Sequence, residues 1–310
     1  MFASYRIQAW VILTGALSCL MLGWVAGIFF QKYIGAGNLY RYVTRTEKEL
    51  LEHPGIPRTE ANLSQLPKDG LMVALAFGQS NAANYGEQAH TAQDHVYNFY
   101  AGRIYRARDP LLGATGEKGS VWTRLGDRLI ANGLYRNIIF VPIAVGASSI
   151  AQWAPGGALH DRLLDVISQV HASGLEFTHL FWHQGEADSL VLHTSRETYK
   201  KLFAAMLGSI RETGVSAPIY VCVATRGQGV RENAEIAAAQ KELVNGRDIL
   251  AGPDTDRLVY AARYDGLHFS SEGLEQFADQ WLAVLAAGSS AKDTVRADQP
   301  RENRNSVPPS

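Results

Sequence analysis

The chain has 310 residues, 46% of them hydrophobic and 19% charged, enough to bury a full-sized core in one large domain or two small ones. With 29 Lys and Arg against 30 Asp and Glu, and no basic stripe interleaved with aromatics, it carries no field that would draw a polyanion, so nucleic acid is not an expected partner. The two cysteines, Cys19 and Cys222, sit far apart in separate apolar segments, which argues against a disulfide framework or a thiolate metal site.

Residues 1–30 read as a short leader and a membrane anchor. The run from Ile7 to Phe30, IQAWVILTGALSCLMLGWVAGIFF, has Gln8 as its only strongly polar side chain. A transmembrane helix needs roughly 20 apolar residues, and a signal-peptide core has only about 7 to 15, so a single-pass helix through a lipid bilayer is expected over a cleaved signal or a buried soluble helix. Lys32, Arg41, Arg45 and Lys48 outweigh Arg6 and favour a cytoplasmic C-terminal side. A leader this short before a long anchor favours the opposite, and an extracytoplasmic domain is the expectation.

Residues 31–70 read as a charged juxtamembrane helix, NLYRYVTRTEKELLEH, and a Pro- and Gly-containing linker. From Leu71 to residue 287, short apolar runs alternate with helical patterns. The expected strands are LMVALAF, HVYNFY, NIIFVPIAV, HLFWH, PIYVCVA and RLVYAA. The expected helices are WTRLGDRLIANG, LHDRLLDVISQVHASG, SRETYKKLFAAMLGSIRETG, ENAEIAAAQKELVNG and SEGLEQFADQWLAVLAAG, several closed by a Gly stop signal. This alternation predicts an α/β domain with a parallel sheet covered on both faces. Residues 288–310 have almost no large apolar side chains and are expected to be a disordered tail.

In such sheets ligands collect beyond the carboxyl ends of the strands. Ser80 follows the first strand in GQSNAAN, Gly146 follows the third in VGASSI, and Gln184 and Glu186 follow the fourth in HQGEAD. Asp265 and His268 lie in YDGLHFSSEG before the last helix. Each stretch alone also reads as a turn or a helix cap. Together they suit acyl transfer, because a serine hydroxyl needs a base and the base an orienting group. His268, three residues after Asp265, is the first candidate base and His183 the reserve. Backbone N–H groups at Ser80 and Gly146, with the Gln184 amide, are candidate oxyanion donors. Trp122, Trp153 and Arg226 read equally as sugar-site or packing and surface residues.

The blocks FGQSN, VGASSIAQW, FWHQGEAD and DGLHFS resemble, in order and spacing, those of the SGNH hydrolases, within them the sialate O-acetylesterase-like carbohydrate esterases. The resemblance covers about Leu71 to Leu285. It implies a three-layer α/β/α sandwich, flavodoxin-like, with a five-stranded parallel sheet, and ester hydrolysis without metal or cofactor. On the matching positions it implies Ser80 as nucleophile, His268 as base, Asp265 as its partner, and Ser80, Gly146 and Gln184 as the oxyanion hole. Gln79, Asn81 and Glu186 would support the site loop, and Asp188 would help cap it. The implied substrate is an acetylated carbohydrate; an acetyltransferase using the same acyl-serine, or an inactive glycan-binding domain, are the alternatives.

Overall fold

The computed structural model describes residues 51–93, 95–227 and 233–297. The expected anchor at 7–30, and the juxtamembrane helix before Leu51, lie outside the described residues. Among the described residues no helix is long and apolar enough to cross a membrane.

Eight strands form one sheet: β1 (Glu60–Ala61), β2 (Leu71–Gly78), β3 (Val96–Tyr100), β4 (Arg103–Arg106), β5 (Asn137–Pro142), β6 (His179–His183), β7 (Ile219–Val223) and β8 (Ile249–Asp254). Their order is β1-β4-β3-β5-β2-β6-β7-β8. From β3 to β8 every pairing is parallel, whereas β4 runs antiparallel to β3 and β1 antiparallel to β4. The sheet is thus larger than the five strands expected. β2 is central, with β5 on one side and β6 on the other, and the winding reverses there. That is where open α/β sheets leave a crevice at the strands' carboxyl ends.

The alternation of β2 shows how both faces are covered. Val73, Leu75 and Phe77 enter one core cluster, with residues of helices α2 (Ile150–Trp153), α3 (His160–Ala172), α5 (Arg196–Glu212) and α6 (Ala234–Leu243). Met72, Ala74 and Ala76 enter the other, with residues of α1 (Val121–Ala131) and α7 (Ser271–Ala297). The short α4 (Glu186–Leu190) follows β6 directly. Strand side chains point alternately to the two faces, so an unbroken apolar run is what a doubly covered strand requires. Ion pairs then bind α1 to α7, with Arg124 Nε 2.8 Å from Glu275 and Arg128 Nε 2.6 Å from Asp279.

Three boundaries differ from the sequence reading. RLVYAA is not a strand: it falls in two 3₁₀ turns, Thr255–Arg257 and Tyr260–Ala262, and Tyr260 has φ 52°, incompatible with extended backbone. The last strand is instead ILAGPD, whose Gly and Pro hide it from periodicity but are tolerated at a sheet edge. Helix α7 runs past Gly288 to Ala297, because extending a helix already nucleated on the core costs little per residue.

The end of the expected juxtamembrane helix and the middle of the expected linker pack onto the domain. β1 supplies an edge strand, Leu51 is buried, and the buried His53 has Nε2 3.1 Å from Leu111 O and 3.0 Å from Ala114 O. Asn84 donates to the same two carbonyls.

Candidate active site

The chain leaves β2 through Gly78, at φ 126°, where a Cβ would stand 2.1 Å from His183 O. Only glycine fits so close an approach. Gln79 N–H donates to His183 O at 3.0 Å, and Ser80–Ala82 then form a 3₁₀ turn. Ser80 is nearly buried, and among the described residues its N–H and that of Asn81 have no acceptor. Those two amides open the turn, where backbone donors are left over to meet an anion.

His268 comes from the other end of the domain. Asp265 Oδ1 accepts the N–H groups of Leu267 at 2.9 Å and His268 at 2.7 Å, while its Oδ2 lies 2.7 Å from His268 Nδ1. This turn orients the imidazole with Nδ1 occupied, leaving Nε2 for proton transfer. Burial alone would raise the Asp265 pKa, but the His268 ring and the two amides outweigh it and hold the carboxyl at about 2. Tyr85 stacks on His268 with ring centres 5.3 Å apart.

Asn81 joins the two turns. Its amide donates to Glu186 Oε1 at 2.8 Å and to Leu267 O at 3.3 Å, tying the residue after Ser80 to the residue before His268. Arg263, which sequence reasoning did not single out, holds the same loop from within. It donates to Leu258 O at 2.7 Å, to Thr255 O at 2.8 Å and also to Leu267 O, and it lies over the Phe269 ring.

The remaining expected donors are engaged inside the protein. Gly146 sits against Tyr85, leaving no room for a side chain, and its N–H donates to Thr115 Oγ1 at 2.8 Å. The next residue, Ala147, has φ 58°, and among the described residues its N–H has no acceptor. The buried Gln184 amide donates to Asp188 Oδ2 at 2.6 Å, Ser148 O at 3.1 Å and Gln79 Oε1 at 3.3 Å. Gln79 Oε1 also accepts from Gly185 and Ala187. Gln79, Gln184 and Asp188 therefore knit the β6 exit to the Ser80 turn, and Asp188 also accepts from Ile150 N, the first amide of α2.

His183, the reserve base, is fully buried with Nε2 2.9 Å from Thr255 Oγ1. Burial, with Arg263 nearby, pulls its pKa down to about 3, so it stays neutral and structural. Trp122 and Trp153 are also fully buried, donating to Ala82 O and Ser148 Oγ, so they pack the floor of the site.

Burial raises the Glu186 pKa to about 7 against the opposing Asn81 hydrogen bond. Between its ordinary value of 4.5 and about 7 the folded chain therefore binds this proton while the unfolded chain releases it, and stability falls as pH rises through that window. Glu186→Gln should flatten that part of a plot of Tm against pH, read by thermal unfolding from pH 4 to 8.

A doubly covered sheet with a serine turn at its central strand and an Asp–His pair before the last helix defines a mixed α/β domain with a candidate hydrolytic site. The chain belongs to the family described as carbohydrate esterase, sialic acid-specific acetylesterase, whose model matches residues 71–286. It is accordingly a carboxylic ester hydrolase. No curated protein matches the chain.

Among solved structures, a protein from Arabidopsis thaliana is similar at 17% identity and a TM-score of 0.56, over 70% of this chain and 98% of its own. NanS is similar at 14% identity and a TM-score of 0.53, over 73% of this chain and 99% of its own. A carbohydrate acetylesterase from Xanthomonas citri gives 16% identity and a TM-score of 0.51, over 70% of this chain and 57% of its own. These likenesses show a shared α/β fold.

Proposed function

We propose that the domain removes O-acetyl groups from a carbohydrate through an acyl-serine intermediate. The observation that carries this is the Asp265–His268 pair at 2.7 Å, tied by Asn81 to the turn that bears Ser80. His268 Nε2 takes the hydroxyl proton as Ser80 Oγ bonds to the acetyl carbonyl carbon. The carbonyl π electrons move to oxygen, and the open N–H groups of Ser80 and Ala147 are the donors suited to that charge. Donors of this kind are worth roughly 2.7 to 4 kcal/mol each.

Collapse of the tetrahedral adduct breaks the bond to the sugar oxygen, which leaves with the proton from His268. Water then attacks the acetyl-serine, giving a proton to the same imidazole; the bond from the carbonyl carbon to Ser80 Oγ breaks, Oγ takes that proton back from His268, and acetate departs. Thr115 acts one bond further back, its hydroxyl fixing the Gly146 amide and with it the loop that presents Ala147. The apolar run at residues 7–30 supports a domain held at a membrane, and the short leader before it is the ground for placing that domain on the extracytoplasmic side.

The reading is tested by acetate release from acetylated oligosaccharides, compared with butyryl and longer esters. The expected result is acetate from the glycan with rates falling as the acyl chain lengthens. Acetyl appearing on a second sugar in place of free acetate would instead make the protein a transferase.

A further inference from the structure

We propose that Tyr264 and Lys118 form the subsite for the sugar that departs when the acetyl ester is cleaved, an inference that rests on the hydrolase reading above. The departing oxygen receives its proton from His268, so the first sugar ring must lie beside that imidazole. The exposed aromatic surface there is Tyr264, 38% exposed, its ring 6.2 Å from the His268 ring and inclined by only 28°. It is held in place at both ends. Its N–H donates to His268 O at 3.0 Å, its hydroxyl donates to Tyr85 O at 3.2 Å, and Lys118 Nζ donates to that hydroxyl at 3.1 Å.

A pyranose offers a C–H face and a rim of hydroxyls. A fixed phenol ring suits the first, since it adds contact area at small entropic cost. Lys118 suits the second. Its ammonium has three protons, of which the Tyr264 hydroxyl takes one. Its main chain is anchored by donating to Asn84 O at 2.9 Å, and Nζ lies 4.3 Å from the Tyr264 ring centre, so ring and cation form one unit. Tyr260, on the same loop and 91% exposed, has no ring contact with His268 among the described residues and serves as the control.

The test compares kcat/KM for an acetylated oligosaccharide with kcat/KM for ethyl acetate, whose leaving group is too small to reach the subsite. In Tyr264→Ala the ratio should fall about five- to tenfold, chiefly through KM for the glycan. Lys118→Met should lower it about two- to threefold, while Tyr260→Ala should keep the wild-type ratio. A ratio within about twofold of wild type in Tyr264→Ala would overturn the subsite. So would an equal loss of kcat on both esters, which would make Tyr264 a support for His268 only. Absence of acetate from either ester with wild-type protein would overturn the hydrolase reading, and the subsite with it.

Discussion

Ser80→Ala should lower the kcat for acetate release by at least about 10⁴-fold, because on the proposed mechanism removing the attacking hydroxyl leaves only binding and oxyanion stabilisation. The substitution deletes one oxygen at the carboxyl end of β2. Among the described residues that hydroxyl makes no hydrogen bond with the rest of the protein, so the fold has no need of it. Tm should therefore move by no more than about 2 to 4 °C, the scale of a 1 kcal/mol change in a domain of this size. Steady-state acetate assays beside thermal unfolding separate the two effects. A variant that keeps its activity would remove Ser80 from the chemistry.

Asp265→Asn should lower kcat by about 10⁴-fold while leaving KM close to wild type. Asparagine keeps an oxygen for the Leu267 and His268 amides, so the turn survives. The second carboxylate oxygen, which meets His268 Nδ1, becomes an NH₂ group. The ring must then present Nδ1 as an acceptor and carry its proton on Nε2, which cannot take one from Ser80. The sign of the pH effect follows from the depressed Asp265 pKa. Its stabilising contribution is present above the ordinary value of 3.8 and is lost as pH falls through about 2. In the physiological range the wild-type pair stays intact, and the defect of the variant persists across it. Normal folding with lost kcat is the expected pattern; loss of folding and activity together would assign Asp265 to structure.

Much of this arrangement was legible in the sequence, for identifiable reasons. Strands β2, β5, β6 and β7 read LMVALAFG, NIIFVP, HLFWH and IYVCV, largely apolar and without polar alternation, because both faces of each are buried. Ser80, Asp265 and His268 were legible because each follows a strand or precedes a helix, and because His268 lies close to Asp265 in the chain. β8 was not, since Gly252 and Pro253 interrupt its apolar pattern and an edge strand tolerates both. The roles of Arg263 and Thr115 were not legible either. Arg263 sits between loops of its own region, and Thr115 meets Gly146 from a segment with no motif. Gln184 shows the limit most plainly: its place in the chain suggested a donor pointing outward, whereas packing turns its amide toward Asp188.

The Asn81 bridge spans 186 positions of sequence. Its partner Leu267 precedes the last helix, so during synthesis the nucleophile turn emerges long before the segment that activates it. The turn around Ser80 is therefore complete only once α7 has docked on the core, which makes its geometry a report on the folding of the whole domain.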